Sequence, residues 1–286
     1  MYHRHQMLDQ RTLSITVTRF HGVTSEQQPD ILAVEEPLEI RLGIDDSGTR
    51  VYRSVSVTMR TPGHDRELAA GFLFTEGILS SLNQIESVDS WGPLSSDGLS
   101  RNITKVDLKT GVTVDISRLE RHFYTASSCG VCGKASLDAV RASACLARIP
   151  TELLVKAEVL HQLPGRLEPA QSDFALTGGL HAAALFSNAG DLLAVREDVG
   201  RHNAVDKLIG FHFLAQRPMS GVLLVSGRAS FELVQKAIAA GIPILAAVGA
   251  PSSLAVELAE EFNLTLIGFL RNHRFNIYCG ESRIVS

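Results

Sequence analysis

Val222-Leu223-Leu224-Val225, Ile244-Leu245-Ala246-Ala247-Val248 and Leu264-Thr265-Leu266-Ile267-Gly268-Phe269 are three short apolar runs. Two longer segments separate them, Phe231 to Ala240, which ends at Gly241, and Ser253 to Phe262. Short apolar runs bounded by turn residues read as buried strands, and the longer segments read as helices. Strand, helix, strand, helix, strand at this spacing predicts parallel βαβ units, because parallel neighbours need a crossover helix between them. The stretch predicts an α/β domain with helices on both faces of its sheet.

Such sheets bind ligands beyond the carboxyl ends of their strands, where loops enter helix N-termini. Three segments occupy those ends. Ser226-Gly227-Arg228-Ala229-Ser230 follows the first strand, and its small residues let a phosphate approach backbone N–H groups. Gly249-Ala250-Pro251-Ser252-Ser253 follows the second and brings a serine cap. Phe269-Leu270-Arg271-Asn272-His273-Arg274 follows the third, with two guanidiniums suited to phosphate or pterin-like acceptors. None matches a P-loop or the GxGxxG fingerprint, and each alone could be an ordinary turn with a surface arginine. Their convergence on one sheet edge favours a binding site.

Upstream, a strand over Asp191 to Val195 runs into Arg196-Glu197-Asp198-Val199-Gly200-Arg201-His202-Asn203-Ala204-Val205-Asp206-Lys207. A solvated helix start would look similar. Asp198, Arg201, His202 and Asn203 crowd one turn, however, and that density favours binding and orientation. Thr177-Gly178-Gly179-Leu180-His181 sets a further candidate, His181, after a glycine pair, where a satisfied core histidine is the competing reading.

The first 120 residues have a different pattern. Thr12 to Phe20, Leu38 to Leu42, Val51 to Val57 and Val112 to Ile116 alternate as strands do. Asp65 to Phe74 reads as a helix with Asp65 as N-cap, after the turn Thr61-Pro62-Gly63-His64. The expected organisation is a disordered tail over 1–11, a strand-rich portion over 12–120, and an α/β core over 121–286. The chain has 286 residues, 45% hydrophobic and 20% charged, with a net charge of −4. That composition suits a sizeable core and argues against general nucleic-acid or anionic-membrane binding. No apolar run is long enough for a transmembrane helix, and Met1-Tyr2-His3-Arg4-His5-Gln6 lacks the apolar centre of a signal peptide, so a cytoplasmic protein is expected.

The four cysteines are Cys129, Cys132, Cys145 and Cys279. Cys129-Gly130-Val131-Cys132-Gly133 precedes an expected helix beginning near Lys134. A thiol pair there meets unpaired N–H groups and the positive end of the helix dipole, both of which favour the thiolate. The pair reads as reactive. Cys145 reads as a buried small hydrophobe within the helical run Ala135 to Arg148. A four-thiolate zinc site needs a second close pair, which the chain lacks, so no stably bound metal is expected.

Together these segments resemble one family. Glu35-Glu36-Pro37-Leu38, Thr58 to His64 and Glu67 to Leu73 carry the resemblance in the first part. The CGVCG pair, Thr177 to Ala183, Glu197 to Lys207 and Ser226-Gly227-Arg228 carry it onward. From about residue 12 to 280 the chain is similar to the formate dehydrogenase accessory sulfurtransferase (FdhD/NarQ) family, most specifically at Glu197 to Lys207.

The resemblance implies that sulfur is taken from a cysteine desulfurase as a cysteine persulfide. It is then passed to the molybdenum (or tungsten) bis-guanine-dinucleotide cofactor, making that cofactor competent for the formate dehydrogenase catalytic subunit. By the same resemblance, Cys129 bears the persulfide and Cys132 assists. The cofactor binds on Phe269 to Arg274, where Arg271 and Arg274 hold the pyrophosphate or pterin. Ser226-Gly227-Arg228 serves the guanine end, with His181, Asp198, Arg201, His202 and Asn203 also in the cofactor-binding set. A cofactor with two nucleotide ends makes a homodimer attractive. The implied fold is a cytidine-deaminase-like mixed sheet flanked by helices. Zinc deaminases use H-x-E followed by P-C-x-x-C. Here Ala182-Ala183 follows His181, and the thiols precede it, which argues against a working deaminase. A dithiol oxidoreductase and a cofactor-binding chaperone without sulfur chemistry remain as alternatives.

Overall fold

The computed structural model describes residues 6–7, 9–94, 98, 100–114, 149 and 152–286. Cys129, Cys132, Cys145 and the expected helix Ala135 to Arg148 lie outside them. In chain order the first lobe holds β1 (Gln6–Met7), β2 (Thr12–His21), β3 (Thr24–Ala33), β4 (Glu36–Asp46) and β5 (Thr49–Arg60). It continues with α1 (Asp65–Thr75), β6 (Ile85–Leu94) and β7 (Arg101–Leu108). The second lobe opens with β8 (Val155–Lys156), α2 (Ala157–Leu167), α3 (Ser172–Thr177), β9 (His181–Phe186), β10 (Leu192–Asp198) and α4 (Arg201–Leu214). It ends with β11 (Val222–Val225), α5 (Phe231–Ala239), β12 (Ile244–Ala247), α6 (Ser253–Glu261), β13 (Thr265–Arg271), β14 (Arg274–Cys279) and β15 (Ile284–Val285).

The βαβαβ reading holds at the centre of the second lobe, where β11, β12 and β13 lie parallel. The full sheet is mixed, in the order β10-β9-β11-β12-β13-β14, with antiparallel pairs at both sides. Alternation along each strand splits its side chains between two cores. Ala183, Leu185, Leu223, Val225 and Leu245 face α4, α5 and α6. Ala184, Phe186, Leu224, Ala246 and Ile267 face α2 through Leu160, Leu163 and Leu167. Helices therefore cover both faces, as expected.

In the first lobe β5-β4-β7-β6 form a sheet. Leu38, Ile40 and Leu42 on its inner face pack against Leu68 and Leu73 of α1. The separate β2–β3 ribbon pairs from Thr12↔Ala33 to His21↔Thr24. Two expectations need correction. Val112 to Val114 are not in a strand; the strand of that region is β7, where Val106 and Leu108 reach the core. Asp65 does not cap α1. The cap position is His64, with φ +59°, and the Asp65 carboxylate is taken by the buried Arg60, Nε to Oδ1 2.9 Å and Nη2 to Oδ2 3.0 Å.

The lobes meet where α1 crosses α4. A Cβ on Gly71 would collide with the Asp206 carbonyl oxygen, and one on Gly210 with that of Glu67. Two glycines thus let the helix backbones touch. Beside the crossing, Thr75 Oγ1 donates to Asp206 Oδ1 at 2.8 Å, and Lys236 Nζ lies 2.9 Å from Asp206 Oδ2 and 3.1 Å from Glu76 Oε1. Burial raises the Asp206 carboxyl to about 6, while Asp206 and Glu76 hold Lys236 charged. Removing one partner from such a buried network costs about 3–5 kcal/mol, because the other charge is left without compensation.

Candidate functional site

The carboxyl ends of the parallel strands are joined by main-chain hydrogen bonds. Val248 N–H donates to the Val225 carbonyl at 3.1 Å, Gly249 N–H to Gly227 at 3.0 Å, and Phe269 N–H to Gly249 at 3.0 Å. Ala229 N–H donates to Ala250 at 3.2 Å, and Ser252 N–H to Ala229 at 3.0 Å. Glycine at 249 permits this approach, since a Cβ there would sit 3.0 Å from Arg228 Cγ and 3.1 Å from the Gly227 oxygen. Ser252 caps α6, its Oγ accepting from Ala255 N–H at 3.3 Å. The three segments proposed from sequence do converge on one edge.

The third of them is not a strand-to-helix loop. β13 runs on to Arg271 and returns through the two-residue turn Asn272-His273, with φ +51° and +54°, into the antiparallel β14. Positive φ at both turn residues matches the twist of the flanking strands. Phe269 also has φ +55°, at a register shift between Gly268 and Arg271. Leu270 points into the core at 1% exposed, whereas Arg271, Asn272, His273 and Arg274 are exposed. The Arg271 guanidinium lies 5.8 Å from the Phe269 ring centroid. Neither Arg271 nor Arg274 has an ion-pair partner among the described residues. This hairpin is a cationic tip on a rigid sheet.

On the other side of β11, Ser226 is fastened to β9. Its Oγ accepts from Ala182 N–H at 2.9 Å and its N–H donates to the Ala182 carbonyl at 3.0 Å. That places His181 beside Gly227, where a Cβ would come 3.5 Å from His181 Nδ1. Burial and the nearby Arg201 hold His181 below the usual imidazole range. His202, in the first turn of α4, has Nε2 3.3 Å from Ser230 Oγ and 3.9 Å from Glu232 Oε2. Burial, with Lys236 and Arg201 nearby, lowers its pKa to about 4, so it is neutral at pH 7 and able to accept.

The polar cluster Arg196 to Lys207 divides in two. Arg201 and His202 are half-buried, but Asp198 and Asn203 lie beneath them, at 0% and 8% exposed. Asp198 meets Lys207 Nζ at 2.7 Å and accepts from the N–H groups of Thr61 at 3.2 Å and Gly200 at 2.7 Å. Asn203 Nδ2 donates to the Met59 carbonyl at 2.7 Å, and Thr58 Oγ1 to Asn203 Oδ1 at 3.2 Å. Lys207 Nζ also donates to the Thr61 carbonyl at 2.7 Å. These three side chains tie the lobes together. The density that sequence reading assigned to a site is half seam.

The catalytic candidates Cys129 and Cys132 lie outside the described residues. Cys279 does not substitute for them: its thiol donates to the Leu264 carbonyl at 3.2 Å, and burial pushes it up to about 11. Among the described residues no group of three or more His, Cys, Asp or Glu could hold a metal ion. No described helix is long and apolar enough to cross a membrane.

Residues 33–285 match the FdhD/NarQ family. The chain belongs to that family. FdhD/NarQ relatives align over nearly the whole chain. "Sulfur carrier protein FdhD" of Streptomyces avermitilis is 52% identical over 273 residues, 94% of this chain and 94% of its own. The protein of the same name from Mycobacterium tuberculosis is 52% identical over 263 residues, covering 90% and 92%. That of the archaeon Sulfurisphaera tokodaii is 42% identical over 273 residues, covering 95% and 98%. A crystal structure from Desulfotalea psychrophila, described as a formate dehydrogenase accessory protein, superimposes with a TM-score of 0.72 over 96% of this chain and all of that one. At 22% identity that likeness shows the fold.

Sequence reading missed Ser230 as the partner of His202 and Lys207 as the partner of Asp198. The second had a signal, since a lysine within a buried helical run needs a carboxylate.

Proposed function

We propose that this chain is a sulfurtransferase that carries sulfur on Cys129 as a persulfide. It receives the sulfur from a cysteine desulfurase and delivers it to the molybdenum (or tungsten) bis-guanine-dinucleotide cofactor of a formate dehydrogenase. The observation that carries this reading is the family match over residues 33–285, which spans the CGVCG pair and joins relatives named as sulfur carriers. The edge formed by Arg201, Arg228, Arg271 and Arg274 supports the cofactor half, since phosphates seek guanidinium forks.

In the loading step the Cys129 thiolate attacks the terminal sulfur of the donor persulfide, and the donor cysteine leaves as thiolate. In the delivery step the Cys132 thiolate attacks the inner sulfur of Cys129. A Cys129–Cys132 disulfide forms and hydrosulfide leaves, bound for the cofactor. A dithiol reductant then supplies two electrons to restore the pair. The carboxyl edge would hold the cofactor, with the hairpin and Ser226-Gly227-Arg228 as the residues that would take its nucleotide end. His181 and His202, both neutral, line the same edge. The protein works in the cytoplasm as a homodimer, on a scaffold akin to the cytidine deaminases without their glutamate.

The test is mass spectrometry of the Cys129–Cys132 peptide after incubation with a cysteine desulfurase and cysteine. An added sulfur on Cys129, removed by reductant and absent from Cys129→Ala, is the expected result. An unmodified peptide, with Cys129→Ala still maturing formate dehydrogenase, would replace the sulfurtransferase by a cofactor chaperone.

A further inference from the structure

The β13–β14 hairpin is supported from α2. Leu270 packs in one apolar cluster with Leu160, Leu163 and Leu167, and Phe275 lies against the same cluster. His161 follows Leu160 and stands where helix and hairpin meet. Its ring centroid is 5.0 Å from that of Phe275 and 6.3 Å from that of His273 in the turn. His161 Nδ1 is shielded from solvent and has no hydrogen-bond partner. A buried polar atom without a partner is uncommon and unfavourable, so the arrangement needs a reason. Beside it, three non-glycine residues of the hairpin, Phe269, Asn272 and His273, hold positive φ. The turn accounts for Asn272 and His273, whereas Phe269, an aromatic residue at a register shift, carries backbone strain of the kind that gathers at ligand clamps and switch regions. Arg271 and Arg274, on the same element, have no ion-pair partner among the described residues.

We propose that His161 is a positioning residue for the ligand of this hairpin. The tip has a second, closed position, reached when ligand phosphates bridge Arg271 and Arg274. There a donor of the turn meets His161 Nδ1. The imidazole with its proton on Nε2 offers Nδ1 as the acceptor. The ligand favours closure because it binds the two guanidiniums together only in that position, and the orphaned nitrogen adds to the bias. The proposal rests on the reading that the hairpin takes the nucleotide end of the cofactor. It adds a residue from a helix that no motif marks.

The experiment titrates guanosine diphosphate into the full-length protein and two variants. His161→Phe keeps a ring against Phe275 and removes the acceptor; His161→Asn returns an oxygen close to the Nδ1 position. The expected result is binding about tenfold weaker in His161→Phe, restored to within about threefold by His161→Asn, with sulfur loading of Cys129 unchanged in both. In wild type, the ¹⁵N resonance of His161 Nδ1 should move in the hydrogen-bonded direction on saturation. That measurement needs no variant to fold. Equal affinity in His161→Phe, or an unmoved Nδ1 signal in a protein that binds the nucleotide, would overturn the role of His161 alone. No binding to wild type would overturn the underlying reading of the hairpin.

Discussion

Arg271 and Arg274 reach solvent from the hairpin turn, and no carboxylate among the described residues neutralises them. Solvent-exposed guanidiniums without such a partner contribute little to folding, so their removal should spare stability. Arg271→Ala is expected to weaken binding of the cofactor or guanosine diphosphate about tenfold while leaving persulfide loading intact. Calorimetry beside peptide mass spectrometry separates the two, and equal loss of both would contradict the division of labour. His202 gives a second prediction at this scale. With a folded pKa of about 4, its imidazole resonances should stay in the neutral position through pH 6 and shift only near pH 4. A midpoint near the ordinary 6.5 would mean that burial and Lys236 do not act on it as described. The two arginines were legible in the chain as groups suited to phosphate, whereas the neutral state of His202 was not. Sequence placed His202 in a polar cluster, but only the packing of α5 shows that Lys236 and Ser230 face it.

Among the elements, the crossing of α1 and α4 depends on two positions. At Gly71 the obstruction to a side chain is the backbone of Asp206, which no rotamer change can relieve. Gly71→Ala is therefore expected to destabilise by about 3 kcal/mol, visible as a lower midpoint in urea. An unchanged midpoint would show that the helices can separate freely. These glycines were invisible as contact residues in sequence, because a helical glycine marks close packing only when its partner helix is known. The strands and helices of residues 222–262 were legible almost to their ends, since short apolar runs alternate there with longer amphipathic segments. The hairpin was not. Asn272-His273 lacks the glycine that usually announces a two-residue turn, so strand β14 was hidden behind what looked like a loop.

For the whole molecule, acid is the informative perturbation. Glu67 of α1 binds Arg196 of β10, Oε1 to Nη2 at 2.9 Å, and its carboxyl falls to about 2 despite burial. A folded pKa below the unfolded value stabilises above the unfolded pKa and is lost as pH drops through the folded one. Glu67 thus contributes stability that disappears as pH falls from 4.5 to 2. His202, also lowered, costs stability as pH falls from 6.5 to 4. Asp206, raised to about 6, has the opposite sign and gains as it takes its proton. The two oppose each other above pH 4.5, and Glu67 decides below it. Denaturant midpoints should stay nearly level from pH 7 to 5 and then drop, with Glu67→Gln flattening the drop. A drop unaltered in that variant would assign acid lability elsewhere. The two-lobe arrangement was only half legible. Sequence separated strand-rich and α/β portions but treated Asp198 and Asn203 as ligand contacts, because a buried interlobe network and a binding cluster use the same residue types. Light scattering that finds one chain per particle would remove the proposed homodimer.

The main-chain bonds from Val225 through Gly227 and Gly249 to Phe269 fix that edge without help from the side chains of Arg228 and Ala250. Shape there is indifferent to most of what the genetic code can place at Arg228 or Ala250. A library randomised at those two positions should retain folded protein in nearly every member, while nucleotide preference varies widely between members. The amides of Val248, Gly249 and Phe269 should exchange with solvent deuterium as slowly as strand amides. The edge is thus a fixed frame with interchangeable fittings.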